Sequence, residues 1–120
     1  MFQSIALSAI SRLPVAPCAC DEAIALIARE RHVPIRLLVH KSRCRSDTAR
    51  ARQLAMYLSH VVLGRSLTEI GDAFGRDRTT VSHACAVIED MRDDPAFDAE
   101  VTELEHQLEA QRHAEVDNAH

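Results

Sequence analysis

Between Ser66 and Met91 the sequence reads SLTEIGDAFGRDRTTVSHACAVIEDM, two amphipathic segments separated by a glycine. Ser66 and Glu69 make the S-x-x-E pattern in which a hydroxyl and a carboxylate reciprocally cap a helix start. A short helix is therefore expected over LTEIGDAF, with Leu67, Ile70 and Phe74 facing inward. Gly75 stands where that helix must stop. A second helix is predicted from about Asp77 to Met91, burying Val81, Ala84, Cys85 and Ile88, with Pro95 after its end. Gly71 lies where the first helix has to admit the second at close range. Two short helices joined by a tight glycine turn are the helix-turn-helix pattern, although an ordinary helical bundle can contain the same pair.

The rest of the chain fits an all-α fold. Its 120 residues suit one compact domain plus a tail, and no Trp, one Tyr and three Gly disfavour a sheet. In ARARQLAMYLSHVVLG, Leu54, Leu58, Val61 and Val62 form one stripe of a 3.6-residue period, and Gly64 is placed to end that helix. Asp21 and Glu22 open an earlier helix carrying Ile24, Ile27 and Ala28, which must finish before Pro34. Ile35, Leu37 and Leu38 read as a short apolar turn. The stretch HKSRCRSDTARAR is nearly devoid of apolar residues and reads as a loop, so that Arg50, Arg52 and Gln53 would stand at the amino end of the long helix. Phe97, Val101, Leu104 and Leu108 mark an acidic amphipathic helix expected to fray from His113. The expected organisation is a lead-in over 1–20, a helical domain over 21–95 and an acidic helix and tail over 96–120.

Charge is segregated along the chain. Residues 1–88 hold 12 Lys and Arg against 7 Asp and Glu, or +5, whereas residues 89–120 hold 2 against 11, or −9. The basic stretch around Lys41, Arg43, Arg45, Arg50 and Arg52 is either a solvated face or a site for a polyanion. The acidic helix can close the core, or dock on a partner, a second copy or the chain's own basic face. Two heptads are too few for a firm coiled coil, so a monomer or weak dimer is expected. Cys18, Cys20, Cys44 and Cys85 lack a CxxC spacing and read as reduced thiols with no metal. The amino-terminal segment lacks a basic n-region, and Arg12 interrupts its apolar run, so a cytoplasmic protein is expected. No apolar stretch approaches a membrane span. His83 and Cys85, two apart on one helix, point to different sides and make no catalytic pair; no enzyme activity and no cofactor are expected.

The run RDRTT is denser in hydrogen-bonding groups than a helix cap requires. On the predicted helix Arg76, Arg78, Thr79 and Ser82 would project outward at its amino end, where such motifs meet base edges. An arginine can clamp guanine O6 and N7 there, and a threonine methyl can touch the thymine methyl. The run RARQLAMYLSHVVLGRSLTEIGDAFGRDRTTVSHACAVIEDM moreover resembles the carboxy-terminal DNA-binding domain of the bacterial replication initiator DnaA, in which R-Q-x-A-M-Y-L, S-L-x-x-I-G-x-x-F-G and R-D-x-T-T-V-x-H-A follow in this order. The resemblance covers about residues 21–95 and implies a helical domain that binds double-stranded DNA at a short A·T-rich element, the DnaA box.

The resemblance also implies roles for individual residues. Arg43, flanked by Lys41 and Arg45, would enter the minor groove, which attracts arginine where it is narrow. Arg52 and Gln53 match the family's Arg-Gln pair, which would contact DNA at the start of the long helix, and Asp77, Arg78, Thr79 and Thr80 would read the major groove. Arg50 joins the helix-start candidates by its position alone, since a helix amino end attracts phosphate. His83 would approach a phosphate or serve as a helix residue only. The family pattern usually has one more residue in the turn and a histidine where Arg78 stands, which shifts the expected code toward guanine. No G-x-x-x-x-G-K-[ST] occurs, so neither nucleotide binding nor the initiator's ATPase step is expected; the initiator itself is a further candidate partner.

Overall fold

A computed structural model describes residues 20–39 and 46–119. Among these residues all regular structure is helical, as the composition predicts. We number the helices α1 (Asp21–Arg31), α2 (Ile35–Val39), α3 (Ser46–Val61), α4 (Leu67–Phe74), α5 (Arg78–Met91) and α6 (Pro95–Ala119). The expected lead-in, apart from Cys20, and the minor-groove candidates Lys41, Arg43 and Arg45 lie outside the described residues, as do Cys18 and Cys44.

Helix α3 is the axis of the fold, packed by α1, α2, α4 and α5. Being surrounded, it buries more than one stripe: Ala51, Leu54, Ala55, Met56, Tyr57 and Leu58 are all buried. The single-stripe expectation is corrected at its far end, where Val61 is 45% exposed while the neighbouring Val62 packs against the core. The amino end is corrected as well. Helix α3 starts at Ser46, so SDTARAR is helix rather than loop, and Arg50, Arg52 and Gln53 stand beyond its first turn.

Helix α1 stops at Arg31 because His32 turns left-handed, at φ 56°, and Val33 N–H returns to Ala28 O at 3.0 Å. The apolar turn after Pro34 is the short helix α2, of which Leu38 is fully buried while Ile35 is 52% exposed. Gly64 takes φ 70°, and Arg65 N–H reaches back to Ser59 O at 3.1 Å, ending α3 as expected.

Helix α4 begins with the complete capping box: Glu69 N–H donates to Ser66 Oγ at 3.1 Å, and Ser66 N–H donates to Glu69 Oε1 at 2.9 Å. A Ser66→Ala substitution is expected to lower stability by about 1 kcal/mol, measured by urea denaturation.

The acidic segment is part of the same core. Val101, Leu104 and Leu108 of α6 are buried, and α6 packs on α1. Its apolar stripe is thus already occupied by the chain itself, and the docking surface expected there reduces to the outward acidic face. Asp94 Oδ2 accepts Phe97 N–H at 3.1 Å, and Pro95 opens the helix, so α6 starts two residues before Phe97. It continues as helix to Ala119 past the point of expected fraying. No helix among the described residues is long and apolar enough to cross a membrane.

Candidate nucleic-acid interface

The turn between α4 and α5 has the two hydrogen bonds of a Schellman motif. Arg76 N–H donates to Gly71 O at 2.9 Å and Gly75 N–H to Asp72 O at 3.4 Å, with Gly75 left-handed at φ 66°. The chain then doubles back so tightly that a Cβ on Gly71 would lie 2.5 Å from Arg76 O. Glycine is needed at 71 for space and at 75 for backbone conformation.

Asp77 caps α5, its Oδ1 accepting Thr80 N–H at 3.2 Å and Thr80 Oγ1–H at 2.9 Å. Val81, Ala84, Cys85 and Ile88 face the core, all four as predicted. That phase turns Arg78, Thr79, Ser82 and His83 to solvent together at the amino end of α5. Arg76 is half-buried, its Nη1 donating to Phe74 O at 2.8 Å, so it braces the turn. Gly71, Asp72, Gly75, Arg76, Asp77 and Thr80 line a shallow concavity beside that exposed row.

The residues expected at the start of the long helix separate. Arg52 is turned into the protein: only 8% exposed, it donates from Nε to Leu38 O and from Nη2 to Leu37 O, both at 2.8 Å. These are carbonyls of the last turn of α2, which a cation satisfies well. The sequence placed Arg52 at the DNA surface; in the fold these two bonds tie its side chain to α2. Arg50 and Gln53 stay half-exposed, with Arg50 Nη1 donating to Gln53 Oε1 at 2.8 Å.

A family model described as the bacterial dnaA protein helix-turn-helix matches residues 20–88. The chain belongs to the DnaA helix-turn-helix family. The matched segment runs from the start of α1 through α4 and the turn to Ile88, short of the last three residues of α5. DNA binding is the activity implied by a DnaA domain of this kind. Helix α6 lies beyond the match.

Sequence reasoning passed over one residue close to the family segment. Arg92 follows α5, and its side chain joins Asp98, Thr102 and Glu105 of α6 to Tyr57 of α3. Desolvation alone would lower its pKa, but the hydrogen bonds to Asp98, Glu105 and Tyr57 and the Glu105 charge prevail and hold it above the usual arginine range. The available signal was an isolated arginine among carboxylates in RDDPAFD. Cys85, by contrast, is chemically quiet: burial first, and the nearby Glu89 charge second, push its thiol up to about 11. It remains protonated at neutral pH, consistent with a core residue. Among the described residues no group of three or more His, Cys, Asp or Glu is placed to hold a metal ion.

Proposed function

We propose that this protein binds double-stranded DNA sequence-specifically at DnaA-box-like, A·T-rich sites, and thereby regulates replication initiation or transcription. The observation that carries the reading is the exposed row Arg78, Thr79 and Ser82 at the amino end of α5, set on the buried Val81, Ala84 and Ile88 within a DnaA-family helix-turn-helix. In this reading α5 enters the major groove. Arg78 clamps a guanine edge, and Thr79 touches a base or a thymine methyl. Asp77 and Thr80 hold each other as the helix cap and present the first turn, while Arg76 sets the turn that aims it. Ser82, one turn on, faces the same base edges, and His83 approaches a phosphate. Lys41, Arg43 and Arg45 supply the minor-groove contact, and Arg50 and Gln53 approach phosphate from α3. Arg52 supports this surface from within by fixing α2 against α3.

The test is fluorescence anisotropy at fixed salt with a DnaA-box duplex, a scrambled duplex of the same composition, and a box carrying a guanine opposite Arg78. Arg78→Ala and Arg43→Ala are each expected to weaken binding to the preferred duplex by about 1–3 kcal/mol, with little change on the scramble. Wild-type affinity in both variants would refute the reading. A preference for the guanine-bearing box would identify Arg78 as the residue that distinguishes this code from the histidine-bearing pattern.

A further inference from the structure

Arg92 occupies the three-residue link between the recognition helix α5 and α6. Its main chain closes α5, with N–H bonds to Ile88 O at 3.1 Å and Glu89 O at 3.2 Å. Its side chain is 20% exposed, and all three guanidinium nitrogens are engaged. Nε donates to Asp98 Oδ1, Nη1 to Tyr57 OH at 3.0 Å and to Glu105 Oε2 at 2.8 Å, and Nη2 to Thr102 Oγ1 at 2.9 Å. The guanidinium carbon also lies 5.9 Å from the centre of the Tyr57 ring. Tyr57 is buried in α3, so one residue ties the end of α5 to two other helices.

The position of this tie matters for a helix that is read from its other end. Helix α5 has 14 residues, a rod of about 21 Å at 1.5 Å per residue. A tilt of about 5° at Arg92 would displace Arg78 by roughly 2 Å, more than the tolerance of a base-edge hydrogen bond. The aliphatic contacts of Val81, Ala84 and Ile88 set how deeply α5 sits, but such contacts are weakly directional. A planar guanidinium with fixed partners on two helices is strongly directional.

We propose that Arg92 is a positioning residue for DNA recognition, holding the tilt of α5 against α3 through Tyr57 and against α6 through Asp98, Thr102 and Glu105. The DNA consequence rests on the binding reading above; the restraint on α5 does not. The functional unit then extends past residue 88 to include the first three turns of α6.

The experiment uses the full chain as wild type, Arg92→Met, Arg92→Lys, Tyr57→Phe and Leu108→Val, at a temperature where circular dichroism shows each variant compared to be folded. Two quantities are read: the ratio of affinities for the box and scrambled duplexes, and amide hydrogen exchange over residues 78–91 in the free protein. Arg92→Met is expected to reduce the ratio roughly three- to tenfold and to accelerate exchange in α5. Arg92→Lys, which retains the charge without the planar fork, is expected to fall between. Leu108→Val loosens α6 without removing a partner of the guanidinium, and should keep both readouts at wild type. Wild-type values in Arg92→Met overturn the proposal, as does an equal change in Leu108→Val. If Arg92→Met fails to fold, Arg92→Lys and Tyr57→Phe decide: a lowered ratio with faster exchange supports the role, and wild-type values in both overturn it. If the wild-type protein does not distinguish the duplexes, the binding reading has failed, and exchange alone decides whether Arg92 restrains α5.

Discussion

Gly71→Val is expected to lower the unfolding free energy by about 2–4 kcal/mol and to abolish specific DNA binding where the protein remains folded. The added Cβ would meet Arg76 O at 2.5 Å and Asp77 C at 3.4 Å, both backbone atoms that cannot rotate away. Relief requires the turn to open, and the turn carries the cap of α5. Helix propensity offsets little of this, since replacing a mid-helix glycine recovers only about 0.5–1 kcal/mol in the case of alanine. Urea denaturation with circular dichroism gives the stability, and anisotropy on box and scrambled duplexes gives the binding. A valine variant with wild-type stability would show that α4 and α5 are not in close contact at residue 71.

Arg52→Gln is expected to cost about 2–4 kcal/mol of stability, because two charge-assisted hydrogen bonds at a buried site are lost and the Leu37 and Leu38 carbonyls are left under-satisfied. The same experiment separates the internal role from a DNA contact. A residue that neutralises a phosphate changes the dependence of affinity on salt by roughly one ion when it is removed. Arg52→Gln should leave that slope unchanged while lowering the urea midpoint. Arg50→Gln, whose side chain is half-exposed beside Gln53, should do the reverse in the binding reading. A shallower salt slope with unaltered stability in Arg52→Gln would return Arg52 to the DNA surface.

The roles of these arginines show where reasoning from sequence succeeds and where it does not. Arg78 was legible because its orientation follows from local periodicity: once Val81, Ala84 and Ile88 face the core, residues 78, 79 and 82 must face outward. Arg52 was not, since its basic neighbours suggested an exposed charged surface, while its partners lie 14 and 15 residues earlier on α2. Arg92 was hidden for the same reason, with Tyr57 35 residues away. Helix starts were legible where a side chain announces them, as at Ser66 and Asp77. The start of α3 was misplaced because a polar first turn resembles a loop until tertiary contacts fold it.

The sequence by itself determined the helical class, the turn built on Gly71 and Gly75, the buried face of α5 and the separation of basic from acidic segments. All of these depend on groups within a few residues of one another, where backbone geometry permits few alternatives. Only the tertiary structure decided which arginines face inward, that the acidic helix closes the core through Val101, Leu104 and Leu108, and that the carboxy end of α5 is tied to α3 and α6 through Arg92. An arginine's long side chain can reach solvent, a phosphate, a carbonyl or a carboxylate equally well, and the choice belongs to whichever partner the folded chain brings within about 3 Å.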